Sequence, residues 1–226
     1  MLNVLKTELL KLAKEVQYHS PLRRFFFHRH VYNFTVPQLL FLCQCIEETR
    51  EIEGAIIEVG CASGATTVFL NKYMDARGIE KKYYAIDTFR GFVAEDVRLE
   101  CEQRGKTSEL YAGFQVNKKK WFDGTMAQNK ISRVVSIEAD VNNYRLADLG
   151  AISFGLLDVD LYRPMKKSLQ ELFEMLSPGG ILVVDDCNSQ NSRWDGSYQA
   201  YVEFMQQTVQ PIQVVHGKLG IVRKAR

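Results

Sequence analysis

Acidic side chains at two predicted strand ends carry the strongest chemical signal in this sequence. Asp158 and Asp160 close the apolar run ISFGLLDVD, and Asp185 and Asp186 close the run GILVVDD. If these runs form neighbouring parallel strands, three or four carboxylates converge at one edge of the sheet. Such a cluster repels itself unless a proton or a cation neutralises it.

Oxygen ligands without nitrogen or sulfur indicate Mg²⁺ or another hard divalent cation rather than zinc. We predict Asp158, Asp185 and Asp186 as metal ligands, with Asp160 as a further candidate, and we assign Asp158 and Asp160 to catalysis. A cation held there could chelate a substrate hydroxyl and lower its pKa. The alternative is that each acid is solvated and caps the helix that follows it.

A glycine-rich turn follows the first predicted strand, AIIEVG, and leads into a helix at Thr66. Small residues let the backbone approach a ligand, and the helix amino terminus favours negative charge. A turn that serves only tight packing is the alternative. The candidate cofactor-binding residues of this turn are Glu58, Gly60, Cys61, Ala62, Ser63 and Gly64.

A further acid, Asp87, ends the second predicted strand, YYAID, and Thr88 follows it. A carboxylate in that position can accept both hydroxyl hydrogens of a ribose. We predict Asp87, and Thr88 beside it, as cofactor-binding residues. A helix cap is the alternative for Asp87.

The elements that position these residues alternate regularly from residue 55 onward. Five apolar runs are separated by helical stretches, which indicates βαβ crossovers and a parallel sheet covered on both faces. A last helix and two terminal strands, expected to be antiparallel, complete the chain. We predict an α/β fold with a Rossmann-like, doubly wound, mostly parallel seven-stranded sheet in residues 55–226, preceded by a helical extension in residues 1–54.

The composition excludes several classes of protein. The chain has 226 residues, 46% of them hydrophobic, and 29 basic against 27 acidic side chains. These values exclude global disorder and give no electrostatic reason to expect nucleic-acid binding. No segment approaches the roughly 18 apolar residues of a membrane span. Five scattered cysteines without a CxxC pair argue against a disulfide framework or a zinc site, so we expect a cytoplasmic protein.

The amino-terminal residues Leu5, Leu9, Leu12 and Val16 recur on one face of a predicted helix. The amino-terminal helices are the candidate contact surface of a homo-oligomer. A basic aromatic patch follows at residues 23–30.

Several motifs together resemble known methyltransferases. The spacing acid-x-Gly-x-small-x-Gly from Glu58 resembles the first motif of class I S-adenosylmethionine-dependent methyltransferases. The segments DTFRGF, LLDVDLYRPMKKSLQELFEMLSPGGILVVDDC and AYVEFMQ are similar to the macrocin O-methyltransferase family, whose members resemble metal-dependent sugar-hydroxyl methyltransferases of natural-product pathways. The resemblance runs from about residue 55 to the end.

The resemblance implies S-adenosylmethionine as cofactor, Asp140 and Val141 beside its adenine ring, and Mg²⁺ at the acid cluster. It implies a small-molecule hydroxyl acceptor such as a glycoside, with a catechol- or phenol-type acceptor as the alternative. A nicotinamide-dependent oxidoreductase is disfavoured by Ala65 in place of a third glycine. The retained acids argue against a non-catalytic module.

The chain also departs from the family pattern. Thr88 and Arg90 stand where the family has serine and glutamate, and Cys187 stands where it has an aromatic residue. Leu161 occupies the place of the lysine base of catechol O-methyltransferases, so deprotonation is assigned to a carboxylate such as Asp160 or to solvent. Two polar segments, 93–113 and 187–198, are predicted lids over the acceptor.

Overall fold

The computed structural model describes residues 2–21 and 32–226. Its contacts divide the chain into two compact units, residues 1–33 and 34–226. The predicted basic aromatic patch lies outside the described residues. Among the helices described, none is both long enough and apolar enough to cross a membrane.

The first unit contains the predicted amino-terminal helix, α1 (Leu2–His19). Its Leu9, Leu12 and Val16 side chains are exposed. An oligomer contact through this helix stays a prediction.

The second unit alternates helices and strands. Its elements are α2 (Val36–Glu48), β1 (Ala55–Val59), α3 (Ala65–Arg77), β2 (Tyr83–Asp87), α4 (Ala94–Arg104), a 3-10 helix (Ser108–Phe114), α5 (Lys119–Gln128), β3 (Val134–Glu138), a 3-10 helix (Leu146–Leu149), β4 (Ile152–Leu157), α6 (Tyr162–Met175), β5 (Leu176–Val184), α7 (Asp195–Gln207), β6 (Val214–Val215) and β7 (Leu219–Arg223).

The seven strands form one sheet in the order β3-β2-β1-β4-β5-β7-β6. The first five are parallel, and β7 runs antiparallel to both β5 and β6. This confirms the predicted mostly parallel, seven-stranded α/β fold. The central strand β4 is buried along its whole length, because helices cover both faces of the sheet.

The strand order reverses between β1 and β4, which are hydrogen-bonded neighbours. In doubly wound sheets, ligands bind in the crevice outside the carboxyl ends of the strands at such a switch point. The acids at the ends of β1, β2, β4 and β5 therefore belong to one edge of the sheet, which we call the crevice edge.

Helix α2 belongs to the same unit as the sheet. The Gln38 side chain accepts a hydrogen bond from the Thr35 amide at 2.8 Å and donates one to the His216 carbonyl at 2.9 Å. Arg223 on β7 forms an ion pair with Glu48 at 3.0 Å. These contacts group α2 with the sheet, and the division by contacts falls after residue 33. The domain boundary predicted after residue 54 stays a prediction.

Candidate active site

Four residues with a left-handed backbone mark the crevice edge. They are Ala62 after β1 (φ 44°), Phe89 after β2 (φ 52°), Asp160 after β4 (φ 61°) and Asp186 after β5 (φ 57°). Non-glycine residues rarely adopt this conformation, and strained residues of this kind cluster at functional sites. Each of these strands is thus followed by a turn that the surrounding structure must hold in place.

The glycine-rich turn packs tightly against its surroundings. A Cβ atom at Gly60 (φ 88°) would lie 1.9 Å from the carbonyl oxygen of Asp158, and one at Gly64 (φ 87°) would approach Met126 and Phe122 within 3 Å. Backbone packing therefore requires glycine at position 60, and the positive φ favours glycine at both positions. Gly64 is also the N-cap of α3, and no side-chain hydrogen bond caps this helix. Its amino terminus presents backbone N–H groups and the positive end of the helix dipole to an anionic group.

The predicted cofactor residues of the turn divide into buried and exposed ones. Ala62 and Ser63 are exposed, whereas Cys61 is buried. Glu58 is only 1% exposed and accepts hydrogen bonds from the Thr67 hydroxyl at 2.6 Å and the Tyr83 hydroxyl at 2.7 Å. Burial raises the pKa of Glu58 to about 7. The buried Glu58 side chain thus links β1 to Thr67 on α3 and to Tyr83 on β2.

Asp87 is fixed by two backbone donors. Its Oδ2 accepts a hydrogen bond from the Ala62 amide at 2.8 Å, and its Oδ1 accepts one from the Phe89 amide at 2.7 Å. The Thr88 hydroxyl donates to the carbonyl of Gly91 at 2.5 Å and so closes its own loop. Asp87 therefore joins the end of β2 to the glycine-rich turn, and its carboxylate is held in one orientation.

Asp140 follows β3 and organises a turn of its own. Its Oδ1 accepts from the Asn142 amide at 2.9 Å, and its Oδ2 accepts from the Asn143 side chain at 2.7 Å. Val141 is buried in the core. The Asn142 side chain also donates to Asp96 at 2.8 Å, and burial raises the pKa of Asp96 to about 6. This turn is thereby tied to α4.

The acid cluster lies across the crevice edge from Asp87. Asp158, Asp160 and Asp186 each place a carboxylate oxygen within 4.8 Å of the others. Burial, and secondly the neighbouring carboxylates, raise the pKa values of Asp158 and Asp160 well above the usual range. The predicted convergence of acids from β4 and β5 is therefore present in the structure.

The membership of this cluster differs from the predicted ligand set. Asp185 points instead to Lys218, whose Nζ lies 2.6 Å from Asp185 Oδ2 and 3.7 Å from Asp186 Oδ1. Asp160 takes its place in the cluster. Consecutive side chains at a strand end point to opposite sides, and the left-handed backbone at Asp186 turns the chain directly after Asp185.

Asp185 is 2% exposed, and its second oxygen, Oδ1, is buried without a hydrogen-bond partner. Burial raises the pKa of Asp185 to about 6, although the Lys218 ammonium acts in the opposite direction. Lys218 was not among the predicted site residues. The signal that could have identified it is the predicted antiparallel pair of terminal strands, because a β7 antiparallel to β5 begins at the crevice edge.

Four aromatic rings join the two predicted lid segments. Trp194 lies 6.0 Å from Phe92, 5.8 Å from Tyr111 and 5.7 Å from Phe114, measured between ring centroids. The guanidinium of Arg193 stacks over the Trp194 ring at 4.4 Å. We call these four rings the aromatic cluster. The sequence indicated Trp194, but Phe92 and Phe114 lie just outside the predicted lid bounds.

The sheet order, the glycine-rich turn before α3 and the carboxylate at the end of β2 define a class I S-adenosylmethionine-dependent methyltransferase. The sequence profile of the Macrocin-O-methyltransferase (TylF) family matches residues 37–217. The chain belongs to this family and is an S-adenosylmethionine-dependent O-methyltransferase, which excludes the oxidoreductase alternative. No curated protein sequence matches the chain significantly.

Solved structures of O-methyltransferases share the fold. NovP superposes with a TM-score of 0.69 and 16% identity over 84% of this chain and 81% of its own. The calicheamicin methyltransferase CalS11 gives 0.68 and 20% over 96% and 91%. A Bacillus cereus O-methyltransferase in complex with SAH gives 0.52 and 13% over 85% and 82%. At these identities the similarity establishes the fold.

Proposed function

We propose that this O-methyltransferase depends on a divalent metal ion, Mg²⁺ in the first instance, and methylates a hydroxyl group of a sugar or another small polar acceptor. The observation that carries the metal proposal is the set of carboxylate oxygens of Asp158, Asp160 and Asp186 within 4.8 Å of one another. Together with Asp185, four acids follow β4 and β5, and Lys218 is the lysine that pairs with two of them among the described residues.

The donor set fits a hard divalent cation. Mg²⁺ binds carboxylate oxygens, and a cation offsets repulsion that burial would otherwise make costly. The unpartnered, buried Oδ1 of Asp185 adds negative charge with no protein donor to satisfy it. Asp158, Asp185 and Asp186 would hold the ion, with Asp160 beside them, and a bound Mg²⁺ supplies Lewis acidity that lowers the pKa of an acceptor hydroxyl.

Asp160 is the residue that we propose to accept the proton of the acceptor hydroxyl. It lies in the cluster next to the other two carboxylates. Leu161, which takes the place of a lysine base, is 2% exposed and carries no ionisable group. The Ser197 hydroxyl donates to the Asp160 carbonyl at 3.1 Å and thereby ties this turn to α7.

S-adenosylmethionine supplies an electrophilic methyl group to this family of reactions. We propose that the Gly60–Gly64 turn and the amino terminus of α3 bind its carboxylate end, because the helix dipole favours negative charge there. Asp87, oriented by two backbone amides, would accept from the ribose hydroxyls. The Asp140–Val141 turn would flank the adenine ring.

A sugar acceptor is supported by the family and by one structural neighbour. CalS11 in its apo form is described as a TDP-rhamnose 3'-O-methyltransferase and superposes with a TM-score of 0.58 at 18% identity, over 96% of this chain and 93% of its own. Trp194 is partly exposed and Phe114 is 41% exposed, so each offers an apolar ring surface against which a sugar ring can pack.

The proposal is tested by transfer of a labelled methyl group from S-adenosylmethionine to a panel of glycosides and catechols. We expect transfer to glycosides that is abolished by EDTA and restored by Mg²⁺. Preferential methylation of catechols would establish the alternative acceptor class. Transfer that continues unchanged after complete chelation would show that the metal proposal is wrong.

A further inference from the structure

The turn that carries Asp160 is strained. The Leu161 amide donates a hydrogen bond to the Val159 carbonyl at 2.6 Å, and Asp160 between them has a left-handed backbone with φ 61°. A three-residue turn with a positive φ at its centre is the rare, strained form of the γ-turn. Such a conformation persists only where the surrounding structure fixes it, so the contacts around this turn decide where the Asp160 carboxylate lies.

Two hydrogen bonds from other elements hold the Asp160 turn. The Ser197 hydroxyl of α7 donates to the Asp160 carbonyl at 3.1 Å. The Tyr162 amide, two residues further on, donates to the Glu100 carboxylate of α4 at 2.9 Å. Tyr162 is the first residue of α6, so its amide has no acceptor within the helix. Glu100 therefore caps α6, a role that the N-cap residue Leu161 has no polar side chain to fill.

The Glu100 side chain is fixed and buried in this position. It is 2% exposed, and while one carboxylate oxygen accepts from Tyr162, the other accepts from Arg104 Nε at 2.8 Å. The Arg104 guanidinium also pairs with Asp195 at 2.9 Å. A Cβ atom at Gly196 would lie 2.7 Å from the Tyr162 nitrogen, so the start of α7 closes over the contact. Burial of a carboxylate is costly unless its oxygens are satisfied, and here both are.

These contacts connect both predicted lid segments to one turn. Glu100 belongs to the segment 93–113, and Ser197 belongs to the segment 187–198. The first segment holds the amide that follows the turn, and the second holds the carbonyl of Asp160 itself. The geometry of the turn therefore depends on elements outside β4 and α6.

We propose that Glu100 is a positioning residue for methyl transfer: by capping α6 it holds the Asp160 carboxylate where it accepts the proton of the acceptor hydroxyl. This inference rests on the proposed role of Asp160 as the base. A general base acts only within hydrogen-bond reach of the proton that it abstracts, and a displacement of about 1 Å can lower a rate by about 100-fold. Glu100 acts through the backbone of the turn and carries no proton in the reaction.

The test compares Glu100→Ala with Glu171→Ala in the full-length protein, using the acceptor of the panel that the wild type methylates fastest. Glu171 is the matched control, because it also accepts the first amide of a helix, that of Leu146 at 3.0 Å, and pairs with a lysine. We expect kcat to fall about 10- to 100-fold in Glu100→Ala. It should stay within about threefold of the wild type in Glu171→Ala, which lies in none of the contacts of the Asp160 turn. An unchanged kcat in Glu100→Ala, or equal losses in both variants, would overturn the inference.

Two further measurements distinguish a displaced base from general damage to the crevice edge. Hydrogen exchange of the Tyr162 amide should become faster in Glu100→Ala, because its acceptor is gone, and stay slow in Glu171→Ala. The affinity for S-adenosylmethionine, measured by calorimetry, should change by no more than about threefold in Glu100→Ala. A loss of cofactor affinity as large as the loss of kcat would contradict a specific role for Glu100.

The double variant Glu100→Gln/Arg104→Met guards against misfolding caused by an unpaired buried charge. It removes the ion pair as a whole, while Asp195 keeps its contact with Lys106 at 2.8 Å. The glutamine oxygen can still cap α6, so we expect kcat within about threefold of the wild type. A kcat as low as that of Glu100→Ala would show that the ion pair matters rather than the cap, which contradicts the inference.

Asp160→Asn separates this inference from the proposed function. If Asp160→Asn turns over as fast as the wild type, Asp160 is not the base and the role of Glu100 is wrong with it. If Asp160→Asn is slow but Glu100→Ala is as fast as the wild type, only the role of Glu100 is wrong. Residues that act as a unit are strongly non-additive, so adding Glu100→Ala to Asp160→Asn should cost less than about threefold. A further loss equal to that of the single variant would show that Glu100 acts independently of Asp160.

Discussion

The two halves of the crevice edge treat their carboxylates in opposite ways. After β2 and β3, Asp87 and Asp140 accept hydrogen bonds on both oxygens from nearby amide groups. After β4 and β5, the acids face one another within 4.8 Å. Hydrogen bonds from the protein orient the acids of the first half, whereas the acids of the second half repel one another unless a positive charge lies near them. This difference supports the proposal that the two halves bind different partners, an organic cofactor and a cation.

Substitutions in the acid cluster should have the largest effect on methyl transfer and little effect on cofactor binding. Asp158→Asn and Asp186→Asn keep the side-chain volume but remove a ligand charge from the cluster. Removing even an orienting partner of a metal ligand costs about 10- to 100-fold, so we expect kcat for methyl transfer to fall by more than about 100-fold. S-adenosylmethionine affinity, measured by calorimetry, should change little. A variant that keeps its full turnover would show that methyl transfer does not need the charge of that acid.

Glu58 lies in the cofactor half of the crevice edge but is buried, as Asp185 and Asp186 are in the other half. Its pKa in the fold is about 7, against 4.5 for an unperturbed glutamate. The native state therefore holds a proton that the unfolded state releases, and stability should fall as pH rises from about 4.5 to 7. The full difference is on the order of 3 kcal/mol.

Glu58→Gln should remove this contribution to the pH dependence, because a glutamine side chain does not titrate. The fold should persist, since the amide oxygen can still accept from the Thr67 and Tyr83 hydroxyls. Denaturant unfolding at pH 5, 6, 7 and 8, in EDTA, gives the comparison. We expect the free energy of unfolding of the wild type to decline across this range more steeply than that of the variant. Parallel curves would mean that Glu58 is ionised in the fold.

Asp87→Asn tests the cofactor half. The substitution removes the charge and turns one acceptor into a donor opposite the Ala62 and Phe89 amides. Hydrogen bonds to charged groups contribute about 1.5–3 kcal/mol, so S-adenosylmethionine should bind about tenfold more weakly or worse. Asp148→Asn is the matched control, since this carboxylate is 66% exposed and pairs only with Arg145 among the ion pairs of the described residues. Unchanged binding in Asp87→Asn would remove this residue from the cofactor site.

The smallest expected effect concerns the aromatic cluster. Trp194→Ala removes the ring that joins Phe92, Tyr111 and Phe114, and such ring contacts contribute about 0.5–1.5 kcal/mol beyond burial. We expect the KM for the acceptor to rise by up to about tenfold, with the KM for S-adenosylmethionine unchanged. Trp121→Ala on α5, where the indole is 48% exposed, is the matched control. Equal effects of the two substitutions would contradict an acceptor role.

The sequence predicted the strands well because buried parallel strands leave continuous apolar runs. The second strand has the predicted bounds, Tyr83–Asp87. β5 instead begins at Leu176, ahead of the predicted run at residue 180, because Leu176 pairs with Ile152 on β4 before a register shift, after which Ile181 pairs with Phe154.

The predicted site was less complete. Adjacent acids such as Asp185 and Asp186 are equivalent in sequence, and only the backbone conformation decides which one joins Asp158 and Asp160. The pairing of Asp185 with Lys218 joins residues 33 positions apart and depends on the register of β7. The glycines of the turn also pack closely against their surroundings. The spacing of the motif could not distinguish this structural role from contact with a ligand.

We propose that the acids after β4 and β5 bind a divalent ion independently of the cofactor half. This claim is tested most directly by calorimetric titration of Mg²⁺ into the wild type, Asp158→Asn and Asp87→Asn, each saturated with S-adenosylhomocysteine. We predict one Mg²⁺ site in the wild type and in Asp87→Asn, and its loss in Asp158→Asn. The same Mg²⁺ binding in all three proteins, or none in the wild type, would contradict the claim.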